Sequence, residues 1–229
     1  MNLKFFIFIL LLQVISYADA MKHFILISFT LFVYSCGQST AHSGSKAGEM
    51  IPSRDTCESP DMDLRCYFRD MPEKLNSQMV IANGGEPGER LTIRGRLVNT
   101  DGGPVASAII YAYHTDRDGI YSKKGNEKGA QKYHGHLHGW CKTDASGNYE
   151  IHSIRPAPYP GGSAPAHIHA AILEAGKGPY YINDFVFEGD PLLKGYHENT
   201  ELTGGTGIIH LEKKDGVWTG TRNIFIEKQ

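Results

Sequence analysis

From Leu91 onward the chain breaks its apolar residues into short alternating runs separated by Gly, Asp, Asn and Pro clusters, and no stretch there sustains a helical period. Leu91, Ile93 and Leu97 alternate with Thr92, Arg94 and Arg96, a period of two that sends one set of side chains to each face of a strand. The run stops at the turn cluster Asn99-Thr-Asp-Gly-Gly-Pro104. Strands are expected again at 107–114, 137–143, 149–154, 166–174 and 180–187. Asp144-Ala-Ser-Gly147 supplies one further turn, and Asp215-Gly216 is expected to join strand regions at 207–211 and 222–226. Many short strands at this spacing predict an all-β sandwich. No internal repeat interrupts the pattern.

With 229 residues, 41% of them hydrophobic and 10% aromatic, the chain can bury one good-sized core beside a leader. A formal charge of −2 with no basic block excludes a nucleic-acid partner from the reading. The first 36 residues hold two apolar leaders in series. Met1 to Ala20 has Lys4, an apolar run and Ala18-Asp-Ala20, a small-X-small cleavage signal. Met21 opens a second, in which Val33-Tyr-Ser-Cys36-Gly resembles the lipobox of bacterial lipoproteins, whose cysteine is acylated. Neither run reaches the ~18 apolar residues of a spanning helix. The expected organisation is a signal or lipoprotein leader at 1–36, a tether and N-terminal segment at 37–75, and the sandwich at 76–229. The expected location is outside the cytoplasm of a bacterium, anchored to a membrane through acylated Cys36. Translation from Met21 is the simplest account of the double leader, and a vector-derived secretion leader is the other.

Three other cysteines remain. Cys57 and Cys66 flank a short loop and are expected to pair in an oxidising compartment. Cys141 follows Trp140 on an expected strand and reads as a small buried hydrophobe.

The chemistry concentrates in Arg155-Pro-Ala-Pro-Tyr159-Pro-Gly-Gly-Ser-Ala-Pro-Ala-His167-Ile-His169. On a strand His167 and His169 point to the same side, so one metal can take both. Pro158 and Pro160 fix the backbone around Tyr159 and aim its phenol. Upstream, Asp116-Arg-Asp-Gly119-Ile-Tyr121 places a second tyrosine just after an Asp-Gly turn. A competing cluster is Tyr133-His-Gly-His-Leu-His138: read as a strand, it puts His134, His136 and His138 on one face, where three imidazoles could hold zinc or copper. A solvated strand face explains the same three residues without a metal.

Taken in order, Gly119-Ile-Tyr121, Thr143-Asp-Ala-Ser-Gly-Asn-Tyr149, Pro156-Ala-Pro-Tyr159 and Pro165-Ala-His-Ile-His169 resemble the intradiol ring-cleaving dioxygenases. The resemblance covers residues 76–195. It implies an immunoglobulin-like or transthyretin-like β-sandwich with long active-site loops. It also implies a non-haem ferric ion, Fe(3+), held by Tyr121, Tyr159, His167 and His169, outside the cluster at 134–138. The implied reaction uses a small catechol-type substrate and O2, opens the ring between its two hydroxyls, and places both oxygen atoms in a dicarboxylic product. Tyr159 matches the ligand that leaves and takes a proton, and so is the expected catalytic residue. Tyr121 and His167 match ligands in the plane of the open position, with His169 opposite Tyr159. A free phenol, with a pKa near 10, is a poor ligand at neutral pH until a trivalent ion forces it to phenolate.

Two departures stand out. Where better-known members carry an arginine three residues before the first ligand histidine, this chain has Ala164, and Arg155 and Lys142 are candidate replacements. The loop between Tyr159 and His167 is also short, which predicts a shallow pocket. The alternative is a non-catalytic sandwich module of the transthyretin-like or carboxypeptidase-regulatory-like kind, which shares the generic turns but has no need of two tyrosines and two histidines together.

Overall fold

The structure is a computed structural model that describes residues 55–227; the leader, Cys36 and most of the tether lie outside them. Twelve strands form two stacked sheets, as the alternation predicts. They are β1 (Gln78–Val80), β2 (Arg90–Asn99), β3 (Ile109–His114), β4 (His138–Lys142), β5 (Asn148–Ile154) and β6 (His167–Leu173), followed by β7 (Tyr180–Tyr181), β8 (Phe185–Phe187), β9 (Ile208–Ile209), β10 (Leu211–Lys214), β11 (Val217–Thr221) and β12 (Ile224–Ile226). The first sheet runs β1-β5-β2-β11-β10 with β12 also on β2, and the second runs β4-β3-β6-β8-β9 with β7 also on β6. No helix among the described residues is long and apolar enough to cross a membrane.

The core lies between the sheets. Leu91, Ile93 and Leu97 of β2 face Ile110 and Ala112 of β3, Ile168, Ala170 and Ile172 of β6, and Phe185 and Phe187 of β8. Cys141 is buried there as a free thiol, and burial pushes its pKa up to about 12, which leaves it inert at neutral pH.

Because side chains alternate, the residues between those core positions stand on the outer face of the second sheet. Register sets them in rows. One row is His138, Tyr113 and His169, and the next is Trp140, Tyr111, Ala171 and Tyr181. This outer face is not solvated. Two short 3-10 turns, Asp55–Cys57 and Leu64–Phe68, are joined by the Cys57–Cys66 disulfide and lay Tyr67 and Phe68 over Tyr111 and Tyr113. Trp140 Nε1–H donates to the Tyr67 carbonyl at 2.8 Å, and the Tyr67 and Tyr181 hydroxyls pair. Residues 55–75 are thus built into the folded unit.

Two local expectations are corrected. The run at 133–138 is not one strand: α1 (Gln131–His134) ends at Gly135, whose φ of +72° turns the chain before β4 begins at His138. Asp215-Gly216 joins β10 to β11, a strand that the sequence pattern did not announce. β1 lies inside the expected sandwich bounds of 76–229, ahead of the strands expected from Leu91 onward, and pairs in parallel with β5.

Candidate active site

His167 and His169 point outward from β6 beside Ile168, which points into the core, as the two-residue period requires. Tyr159 comes from the loop between β5 and β6, and Tyr121 from the loop after β3. Glycine brings these loops together. Gly119 has φ +81°, and a Cβ there would lie 2.2 Å from the Pro158 carbonyl oxygen and 3.0 Å from Pro160 Cδ. Ala157 N–H donates to the Asp116 carbonyl at 3.1 Å, and Thr115 Oγ1 to the Ala157 carbonyl at 2.7 Å. The Asp116 carboxylate accepts from the amides of Asp118 and Ile120, closing the turn that carries Tyr121. Gly135 approaches from the other side, where a Cβ would be 2.6 Å from the Ser122 carbonyl oxygen. Both phenols are therefore aimed by backbone packed on backbone.

The four predicted side chains converge. Tyr121 Oη is 2.6 Å from Tyr159 Oη, which is 3.1 Å from His169 Nε2 and 3.2 Å from His167 Nε2. The two Nε2 atoms are 3.1 Å apart. Their tautomers follow from the other ring nitrogens. His167 Nδ1 lies 2.7 Å from the Pro165 carbonyl, and His169 Nδ1 lies 2.9 Å from the Asp184 carboxylate. Both partners only accept, so each Nδ1 carries a proton, and each ring in its neutral form presents a lone pair at Nε2. Two lone pairs then face each other across 3.1 Å, and the Tyr159 hydroxyl has one proton to satisfy only one of them. This donor set is short of positive charge at its centre, and a cation fits it.

Burial pushes both the Tyr121 and Tyr159 phenols above the ordinary tyrosine value, so neither ionises at neutral pH without a nearby cation. Burial likewise holds His167 below the usual histidine value and keeps it neutral, the form that ligates. Beneath the site lies an aromatic floor. The Tyr113 ring sits 4.8 Å from His169, 5.9 Å from Tyr121, and stacks on His134 at 3.6 Å.

The competing histidines do not form a site. His134 is buried in this floor, with the Tyr111 hydroxyl 2.8 Å from its Nδ1. His136 Nδ1 donates to the Ser122 carbonyl, and its Nε2 lies 3.0 Å from the Glu86 carboxylate. His138 Nδ1 donates to the Gly135 carbonyl. Among the described residues, the one grouping of His, Cys, Asp and Glu able to share an ion is His167, His169 and Asp184.

The candidate replacements for the arginine fare no better. The Arg155 guanidinium lies 5.8 Å from the Phe187 ring and 5.3 Å from the Trp218 ring, which belong to or pack on the core between the sheets, whereas the two histidines point outward from β6. Lys142 shares the row of Ile109 and Leu173, four residues along β6 from His169, or about 13 Å at strand rise.

Sequence reasoning missed Asp184 and Tyr113. Tyr113 stood in a strand already read, but which face it shared depended on register. Asp184 precedes β8, and the pairing of Ile168 with Phe185 sets it across from His169; a lone acid in a loop carries no such signal until that pairing is known.

A family model described as "Dioxygenase" matches residues 65–199. The protocatechuate 3,4-dioxygenase beta chain of Burkholderia cepacia is 32% identical over 119 residues, covering 49% of this chain and 51% of that one. The chlorocatechol 1,2-dioxygenase of Rhodococcus opacus is 35% identical over 125 residues, 47% of each chain. The chain thus spans about half the length of these curated relatives. Among solved structures, the dioxygenase domain of a dioxygenase carbohydrate-binding protein fusion from Streptomyces sp. SirexAA-E superposes with a TM-score of 0.54 at 19% identity, covering 69% of this chain and 93% of that one. The 3-chlorocatechol 1,2-dioxygenase from Rhodococcus opacus gives 0.53 at 20% identity, covering 68% and 67%. These structural likenesses speak for the fold.

Proposed function

Because this chain belongs to the intradiol ring-cleavage dioxygenase family, we propose that Tyr121, Tyr159, His167 and His169 hold one ferric ion and that the protein cleaves a small catechol between its hydroxyls with O2. The observation that carries this reading is the convergence of two phenols and two imidazoles, with Tyr159 and the two histidines 3.1 to 3.2 Å apart and Tyr121 2.6 Å from Tyr159. Bound there, Fe(3+) would supply the charge that ionises the phenols and a Lewis-acid template for both catechol oxygens.

The chain's own residues account for the rest. Tyr159 touches three of the other groups in turn, Tyr121, His167 and His169, so it stands where a proton from an incoming catechol hydroxyl can be received. Its side chain can turn about its own rotatable bonds while the packed loop backbone and β6 stay in place. His167 and His169 sit on a strand paired on both sides and keep their geometry. The Tyr113, His134 and Tyr121 rings exclude water from beneath. With Ala164 in place of arginine, charge building up on the ring is stabilised without a guanidinium from that position, and turnover on simple catechol is expected to be slower by about a hundredfold to a thousandfold than with such a group in place.

The reading is tested by loading purified protein with ferric iron. About one iron per chain and a red-brown phenolate-to-iron band are expected, with the band weakened in Tyr121→Phe and Tyr159→Phe. Dioxygen uptake on a panel of catechols should accompany it. Iron-loaded protein that consumes no oxygen across catechol, hydroxyquinol and bulky or carboxylated catechols would leave the binding-module reading standing.

We also propose that the protein works outside the cytoplasm, tethered through acylated Cys36. The Cys57–Cys66 disulfide supports an oxidising compartment. Mass spectrometry of the mature N-terminus from the native host tests it: an unmodified chain beginning at Met21 would refute the anchor.

A further inference from the structure

We propose that Asp184 is the positioning residue for His169, holding its ring so that the Nε2 lone pair enters the metal site, and making this histidine a stronger donor than His167. The inference rests on the ferric site proposed above and deepens it.

The two histidines have unlike partners. His167 Nδ1 donates to the neutral Pro165 carbonyl at 2.7 Å, whereas His169 Nδ1 donates to the Asp184 carboxylate at 2.9 Å. A carboxylate pulls harder on the Nδ1 proton than a carbonyl, and the ring passes that density to Nε2. Asp184 is held in place for the task. Antiparallel register carries it opposite His169, one step beyond the Ile168 and Phe185 pair. Gly207 packs on its backbone so closely that a Cβ there would lie 1.8 Å from the Asp184 carbonyl oxygen. Side-chain exposures of 23% for His169 and 28% for Asp184 leave the bond only partly open to water, which would otherwise compete for it.

Asp184 could instead be read as a ligand, since its oxygen and the two histidines offer donor atoms within 4.8 Å of one another. Geometry favours the outer role. The carboxylate meets Nδ1, while Nε2 of the same ring faces Tyr159 Oη and His167 Nε2. The imidazole therefore stands between Asp184 and the point where the four donors meet.

The test compares wild type with Asp184→Ala and Asp184→Asn by ferric affinity in chelator competition, the energy of the visible phenolate band, and the Fe(III)/Fe(II) potential. Melting curves confirm that each variant folds. Asp184→Ala should lose ten- to a hundredfold in iron affinity, the range for an outer-shell partner. Asp184→Asn keeps an acceptor for Nδ1 but no charge, so it should recover most of the affinity while its potential rises above wild type. Two results would overturn the assignment while leaving the ferric site intact: both variants matching wild type in all three measurements, or both losing far more than a hundredfold alike, as loss of a direct ligand would. Wild-type protein that binds no iron would instead defeat the ferric reading itself, so the two failures are told apart.

Discussion

At the scale of single residues, the site depends on places where a side chain is missing. Gly119 is the clearest case, because its positive φ and the Pro158 carbonyl 2.2 Å from any Cβ forbid even alanine. Gly119→Ala should cost roughly 1–3 kcal/mol in backbone strain, and the loops should part to relieve it. Since those loops carry Tyr121 and Tyr159, iron occupancy should fall more than stability does. Metal analysis beside a melting curve checks this; full occupancy with a lowered melting point would show that the loops do not set the phenols. Ala164 is the other missing side chain. Neither Arg155, stacked against Phe187 and Trp218, nor Lys142, far along the sheet, replaces what it lacks.

At the scale of elements, the outer aromatic layer is fastened by the short segment that bears Tyr67. Cys57 and Cys66 close a loop nine residues apart, so Cys57→Ser with Cys66→Ser should destabilise the domain by about 2–3 kcal/mol on chain entropy. Chemical denaturation measures it, and an unchanged midpoint would mean that the Tyr67, Trp140 and Tyr181 contacts suffice. This segment also marks where the sequence is hardest to read, since it has no period and its burial comes from a sheet face that β3 and β6 create. β2, β3, β5 and β6 were legible because alternation is a local signal. The strands β1 and β11 were not, because β1 is only three residues long and none of the residues of β11, Val-Trp-Thr-Gly-Thr, is fully buried, so neither carries a clear alternation. His134, His136 and His138 misled for a related reason: spacing by two implies a shared face only within one strand, and Gly135 ends that condition. The proposed ligands Tyr121, Tyr159, His167 and His169 were picked out by motif, whereas Asp184 needed the register.

At the scale of the whole molecule, acid is expected to act on the fold through histidines outside the proposed metal site. His114 is 1% exposed, its Nδ1–H donating to the Thr115 carbonyl and its Nε2 accepting from Ser153. Burial lowers its pKa from 6.5 to about 4. The unfolded chain therefore binds a proton that the folded one refuses between those values. The stabilising contribution is complete above pH 6.5 and is lost as pH falls toward 4, to a total of about 3 kcal/mol. His134, lowered by burial to about 3, acts in the same direction. Metal-free protein should melt progressively lower from pH 7 to pH 4.5, and His114→Gln should shrink that dependence; an unaltered slope would remove His114 as its source. The order of the strands has another consequence. β2 receives β11 and β12, both in parallel, from the far end of the chain. Until those last residues arrive, the longest strand of the first sheet has an open edge, ready to pair with any other extended chain. A chain cut at residue 206 would expose that edge, because β2, the second strand made, pairs with two that come far later in the sequence.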